Sequence, residues 1–473
     1  MIVRKEVSNM NSISIKKFKI DKSLIKKILI IAIPIVLEQL LSSSFGVVDT
    51  IMVKYIDRGI SGVGLASQIG NVVMTIMFAC ATGVGMYIAQ YFGDRDKENI
   101  KNAFSLLLFL AFVLSSVFML ICLIIPRQVL SLFTKDEDVL AIGVTYIRIA
   151  CLSYMPNLMG YSFVIAYRNV QKTINAFLIQ FACSVFNVLM NWLLIFGIWI
   201  FPELGIRGAA IATVLSCSLS LIIHIIYGNI SKKVFMPRIK NFFTALKVSF
   251  SKPILKRSLP LLINETLFSI GILVYVAVFN RLGSDQYEAY RISEVITQVA
   301  FSASYGMTAA VQAITGASLG SGNFDEAKRY GNSFLILGIG LSIFVGLFVF
   351  VCAKPLVMIF ASDEVSEATI EIAKILMYVC SLRITLKMYA NILLAVFRAG
   401  GKTKFVMILD CVVMWLVGIP IAILGYHVFN IDNIALLYLF MQLEAVVRIS
   451  VGLHQYFKYD WLNNIINKKM KVA

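Results

Sequence analysis

Twelve stretches of about twenty mostly apolar residues, each bounded by charged or turn-forming residues, constrain this chain more than any other feature. They cover residues 28–53, 63–91, 104–125, 140–166, 174–198, 208–227, 259–279, 292–319, 334–353, 375–397, 405–424 and 435–457. Such a stretch crosses a hydrocarbon layer about 30 Å thick only as a helix, because backbone N–H and C=O groups in oil must find partners within their own segment. None of them alternates like a barrel strand. Composition agrees: 59% of the 473 residues are apolar and 15% charged, and the mean hydropathy is +0.84. A soluble globular chain carries roughly 25% charged residues. The sequence predicts an all-α integral membrane protein with twelve transmembrane helices.

A formal charge of +17 invites a nucleic-acid reading, but the placement of the basic residues argues against it. About 30 of the 43 Lys and Arg lie in the two tails and in alternate connections, and only about nine in the connections between. That alternation is the positive-inside pattern, so both termini are expected in the cytoplasm and the protein in the inner, cytoplasmic membrane of the cell. An even number of spans agrees. The first 27 residues are basic and lead into the first span without an AxA-type site, which predicts an uncleaved span rather than a signal peptide. Their segment IKKFKIDKSLIKK (15–27) has the charge to lie on anionic lipid, or to serve as a disordered anchor.

The longest connection, 228–258, holds Lys232, Lys233, Arg238, Lys240, Lys247, Lys252, Lys256 and Arg257 and divides the spans six and six. The expected organisation is a basic cytoplasmic tail (1–27), an N-lobe (28–230, spans 1–6), a cytoplasmic linker (231–258), a C-lobe (259–457, spans 7–12) and a cytoplasmic tail (458–473). The halves also echo each other. GDRDKENIK (93–101) answers GSGNFDEAK (320–328), RNVQKT (168–173) answers RAGGKT (398–403), and Pro34 and Glu38 answer Pro260 and Glu265. A repeat of six spans in one orientation implies two pseudo-symmetric six-helix bundles about an axis along the membrane normal, with a cavity between them.

Enzyme chemistry finds little support. RAGGKT ends like a phosphate loop, but the glycine required five residues before Gly401 is Val396. No nucleophile and base stand together, so the chain is read as no enzyme and as holding no cofactor, its energy coming from an ion gradient or a partner. All eight Cys (80, 122, 151, 183, 217, 352, 380, 411) lie in apolar segments without pairing spacing. His224, His427 and His454 lack metal-ligand spacing.

Ten ionisable residues besides His fall inside the spans: Glu38, Asp49, Arg148, Glu265, Glu294, Arg383, Lys387, Asp410, Glu444 and Arg448. Each would cost about 2.5–3.5 kcal/mol at a helix centre and should face protein or a wet cavity. Glu444 and Arg448 are spaced as a pair on one helix. Arg148 and Asp410 sit near span ends, where snorkelling or capping would serve them. Arg383 and Lys387 share a face and need acids, for which Glu265 and Glu294 are candidates, either as a structural clamp or as a gate. Asp49 has no base at i±3 or i±4, and Lys54 at i+5 points elsewhere. Eleven residues, about 20° of helical phase, separate it from Glu38 on the same face. Asn187 and Asn191 share a face of the fifth span, and Thr213 lies on the sixth. A carboxylate with amide and hydroxyl oxygens is a ligand set for a hard cation, although such side chains also simply bond helix to helix.

The pattern resembles the multidrug and toxic compound extrusion (MATE) family. The resemblance rests on an early Pro followed by VDTIMV, on GVGLAS and AQYFGDRD opening and closing the second span, and on NxxxN with GIRGAAIAT in spans five and six. LPLLINE in span seven and FRAGGKTKF with GIPIAILG after it extend it over the chain. The family implies two six-helix bundles and export of mostly cationic, amphipathic drugs in exchange for Na+ or H+, with a small-molecule substrate, a lipid environment, no nucleic acid and a monomer. By position, Asp49 is similar to the family's first-helix aspartate in the N-lobe cation site, with Asn187, Asn191 and Thr213 around it. One branch carries Asp where this chain has Asn191, so the choice between Na+ and H+ stays open. Glu265 is similar to the seventh-helix acid, and Glu294, Arg383 and Lys387 complete the expected C-lobe cavity. The tenth-helix aspartate of the sodium-coupled branch is missing. A lipid-linked saccharide flippase of the same superfamily is the second reading, since Arg148, Arg383 and Lys387 would suit a diphosphate.

Overall fold

A computed structural model describes residues 22–53, 59–360 and 365–466; Lys54 and most of the basic segment 15–27 lie outside the described residues. Among these residues there is no β-strand. Ten helices are long and apolar enough to cross a membrane: Gly59–Gly93, Lys97–Ile124, Glu137–Asn169, Thr173–Phe196, Ile206–Ile230, Val248–Asn280, Phe324–Val351, Glu367–Ala399, Thr403–His427 and Ile434–Tyr456. Lys22–Val53 and Ser284–Gly320 are equally long. Each expected span overlaps one of these helices, but five begin well before the apolar stretch, at Lys97, Val248, Ser284, Phe324 and Glu367 against expected starts of 104, 259, 292, 334 and 375, because their polar first turns are helical too.

Local chemistry sets the ends and breaks. Asp96, Asn323, Ser366 and Asn433 cap the helices that follow them by accepting a bond from a backbone N–H three residues on. The helix over 137–169 narrows to a 3-10 turn at Cys151–Ser153 just before Pro156, which has no N–H to give the preceding turn. The helix over 403–427 widens to a π turn at Met414–Gly418 ahead of Pro420. Large side chains point outward, as on Phe324–Val351, where Phe344 is 68% and Leu347 59% exposed. Glycines turn inward on the same helix, Gly338 onto Ile392 and Gly346 onto Thr385. Large outside and small inside is the pattern of helices packed in lipid.

The two halves of the chain meet along Ser284–Gly320, which packs on both Lys22–Val53 and Gly59–Gly93. Contact at one end is backbone to backbone. A Cβ on Gly93 would fall 1.7 Å from the carbonyl oxygen of Ala317, and one on Gly320 would fall 1.9 Å from that of Gln90. These two contacts are counterparts at the 227-residue offset that also relates Glu38 to Glu265, so each half offers the other the same surface.

The segment after Tyr456, expected to be a tail, is built into this end. Trp461 is fully buried, stacks on Tyr456 at 5.3 Å and donates its indole N–H to the Tyr456 carbonyl. Gln90, also fully buried, donates from Nε2 to the carbonyls of Ala399 and Asn463 and accepts from the Ile465 N–H at 2.8 Å. Asn464 donates to the Gly320 carbonyl at 2.9 Å. A methyl group at Gly320 must therefore pry the halves apart. Gly320→Ala is expected to lower the thermal unfolding midpoint in detergent by on the order of 5 °C. Gly340→Ala, which meets nothing within 4 Å, should leave the midpoint level or raised. Equal midpoints for the two variants would contradict the close contact.

Candidate functional site

Between the halves lies a cavity of about 1090 Å³ lined by residues of both. Its first-half wall carries the expected polar cluster. Val53, Ile195 and Ala209 form a small apolar knot that docks the end of Lys22–Val53 against Thr173–Phe196 and Ile206–Ile230. Beside the knot, Asn191 Nδ2 donates to Asp49 Oδ1 at 2.6 Å and to Asn187 Oδ1 at 3.3 Å. Asn187 Nδ2 in turn donates to Ser216 Oγ at 3.1 Å. Thr213 lines the same wall, its hydroxyl bonded to the Ala209 carbonyl. Asp49 makes no ion pair among the described residues, and the Asn191 amide oxygen is buried without a hydrogen-bond partner. A carboxylate whose one donor here is a neutral amide, beside a buried amide oxygen with no donor, is an acceptor-rich pair that a small cation or a proton would satisfy. Ser216 had no signal in sequence beyond being one hydroxyl among many.

Glu38, the other acid of the first helix, is differently employed. Its Oε1 lies 3.1 Å from Arg168 Nη2. Arg168 belongs to the last turn of Tyr154–Asn169, although its sequence position suggested the connection that follows. Both line the cavity, yet each neutralises the other.

The second-half wall divides the residues expected there. Glu265 and Lys387 line the main cavity, whereas Arg383 and Glu294 pair with each other at 2.8 Å and line a smaller adjoining pocket of about 70 Å³. Phe268, Lys387 and Arg448 border both. Asp410 does not serve as a helix end. It is buried, lies 3.1 Å from Arg448 Nε and accepts from Asn264 Nδ2 at 3.1 Å. Arg448 also pairs with Glu444 one turn away, and Glu444 accepts from Tyr275 OH at 2.8 Å. Arg398, missed in sequence because it stands in the RAGGKT connection, lines the main cavity too. Arg148 is exposed and lines neither cavity.

Known proteins share this fold. A curated relative, the probable multidrug resistance protein NorM of Thermotoga maritima, is 23% identical over 96% of each chain. Multidrug resistance protein MdtK of Pectobacterium atrosepticum is 23% identical over 84% of this chain and 86% of its own. Among solved structures, the Vibrio cholerae MATE transporter VcmN in its bent form superimposes with a TM-score of 0.83, at 19% identity, over 93% of this chain and 97% of that one. A MOP superfamily transporter from Pyrococcus furiosus superimposes equally well, at 17% identity, over 92% and 96%. The MatE family model matches residues 34–193 and 260–424, one block in each half and together most of the chain. This multi-pass membrane protein belongs to the MatE family.

Proposed function

We propose that the protein is a secondary active antiporter that exports amphipathic, mostly cationic drugs or toxic compounds in exchange for Na+ or H+. Two six-helix bundles, residues 28–230 and 259–457, rock about the cavity they share. The basic connections support a cytoplasmic location for both termini and for the latched end around Gln90, and on that reading the conformation described is closed on the cytoplasmic side. The observation that carries the reading is Asp49. It lies on the cavity wall beside the unsatisfied amide oxygen of Asn191, unpaired with any base among the described residues. The other first-half acid, Glu38, is already neutralised by Arg168.

Exchange requires that ion and cargo favour opposite states of one conformational equilibrium. Asp49 stands on the first helix, and the same helix packs Ala32 and Val36 against Gly306 of the other half. Pro34 lies within that helix and weakens its hydrogen-bond ladder. An ion at Asp49 is thus mechanically connected to the seam between the halves. One-for-one exchange of a monovalent ion for a monovalent cationic cargo moves no net charge, so the ion's concentration gradient drives it: a tenfold gradient is worth about 1.4 kcal/mol and supports up to a tenfold cargo gradient. The names of the relatives, multidrug resistance proteins NorM and MdtK, support drugs as the cargo class.

The saccharide-flippase reading drew its support from Arg148, Arg383 and Lys387 as a basic cavity wall, and that support is weaker here: Arg148 lines neither cavity and Arg383 is paired with Glu294.

Proteoliposomes test both parts of the proposal. Asp49→Asn should slow gradient-driven ethidium export by about tenfold or more, the loss of one ion–carboxylate interaction of at least 1.4 kcal/mol. Export by the variant at the wild-type rate would contradict the role of Asp49. Sodium and pH gradients imposed separately on the wild-type protein should each be scored. The coupling ion is the one whose gradient alone drives export, and export indifferent to both would contradict antiport.

A further inference from the structure

The connection between the halves, 228–258, carries eight basic residues and no Asp or Glu. Part of that charge is used within the protein. Lys240 pairs with Glu98 at 2.6 Å, Arg257 donates to Tyr87 OH at 2.6 Å, and Lys233 stands over the Tyr227 ring at 4.7 Å. Lys252 and Lys256 are exposed and make no ion pair or side-chain hydrogen bond among the described residues.

Their place on Val248–Asn280 determines what lies beside them. At 100° per residue, Lys252, Lys256, Leu259, Ile263 and Ile270 fall within about 60° of one face. Leu259, Ile263 and Ile270 are exposed, whereas Asn264 and Phe268, on the other side of the helix, line the cavity. The exposed stripe therefore faces lipid. Lys252 and Lys256 precede Leu259 by about 10 and 5 Å along the axis, close to the depth of the headgroup layer, about 5–8 Å on each side of the hydrocarbon.

The short helix Ile239–Leu246 adds a second apolar stripe. Its Asn241 and Ala245 are buried, and Asn241 Nδ2 donates to Asn102 Oδ1 at 2.7 Å. Ile239, Phe243 and Leu246, spaced i, i+4 and i+7, turn away from that contact, and Ile239 is 78% and Phe243 70% exposed. An apolar stripe flanked by bases suits the boundary between headgroups and acyl chains.

We propose that residues 239–256 dock on the membrane surface, with Lys252 and Lys256 binding the phosphate of an anionic phospholipid and Ile239, Phe243 and Leu246 resting among the upper acyl carbons of the same leaflet. Charge complementarity selects the lipid. A zwitterionic headgroup brings its own ammonium, which two lysines repel, whereas phosphatidylglycerol brings an uncompensated negative charge. The site requires only that the chain spans a membrane, so it is independent of the antiport reading.

Native mass spectrometry of the purified full-length protein, given equal amounts of dioleoyl phosphatidylglycerol and dioleoyl phosphatidylcholine in detergent, reads the headgroup preference. The wild-type protein should favour phosphatidylglycerol by about tenfold, and Lys252→Gln combined with Lys256→Gln should lower that ratio by about fivefold or more. Lys252→Arg combined with Lys256→Arg should keep it within about twofold of wild type, because the charge is retained. No preference in the wild type, or an unchanged ratio in the double glutamine variant, overturns the headgroup site. For the short helix, Phe243→Trp is placed in phosphatidylglycerol nanodiscs brominated in the upper acyl chain, where most of the fluorescence it adds over wild type should be quenched. An introduced tryptophan that bromolipid leaves unquenched overturns the docking of that helix, and a dimeric mass in the same preparation would assign its apolar stripe to a second copy of the chain.

Discussion

A charged side chain in hydrocarbon must be neutralised by a neighbour or reached by water, and nearly every polar feature of this protein follows from that requirement. Three groups meet it by pairing: Glu38 with Arg168, Glu294 with Arg383, and Asp410 and Glu444 with Arg448. A buried pair contributes little net stability, because desolvation offsets most of the attraction, but breaking one strands a charge. Such pairs therefore fix which helices lie together. Asp49, Glu265, Lys387 and Arg398 make no ion pair among the described residues and meet the requirement the other way, by standing on the wall of a cavity with room for water, ions or cargo. Pairing builds the scaffold, and what is left unpaired is available for function.

The seam between the halves gives those open charges something to act on. Gly93 against Ala317 and Gly320 against Gln90 are van der Waals contacts between backbones, with no side chain to deform. A contact of this kind is either made or lost, which suits an element with two discrete states. The segment 461–466 strengthens the made state. It ties Gln90 of the first half to Gly320 and Gly400 of the second through hydrogen bonds that open water could replace once the halves part.

Much of this was legible in the sequence where the relevant spacing is local. Asn187 and Asn191 share a face because they are four apart, and Glu444 meets Arg448 for the same reason. The long helices follow from apolar length alone. Arg383 found Glu294 because few acids were free to meet it. What escaped notice depends on contacts distant along the chain. Arg168 looked like part of a basic connection, and nothing within its own helix shows that Glu38, well over a hundred residues earlier, lies across from it. Asp410 stood near a span end, where capping is the ordinary explanation, yet the chain folds Arg448 onto it. Trp461 and its neighbours follow the last apolar stretch and carry no periodicity, so their burial is set by the groove they fill.

The claim at the centre is that Asp49 holds an exchangeable ion which cationic cargo displaces through a shared equilibrium. The most direct measurement is ion release on binding, with purified protein in weakly buffered detergent solution loaded with radiolabelled sodium. Protons and sodium freed by saturating ethidium are counted for the wild-type protein and for Asp49→Asn. The account predicts about one ion released per dye bound by the wild type and close to none by the variant. Dye binding without ion release, or the same release from Asp49→Asn, would contradict it.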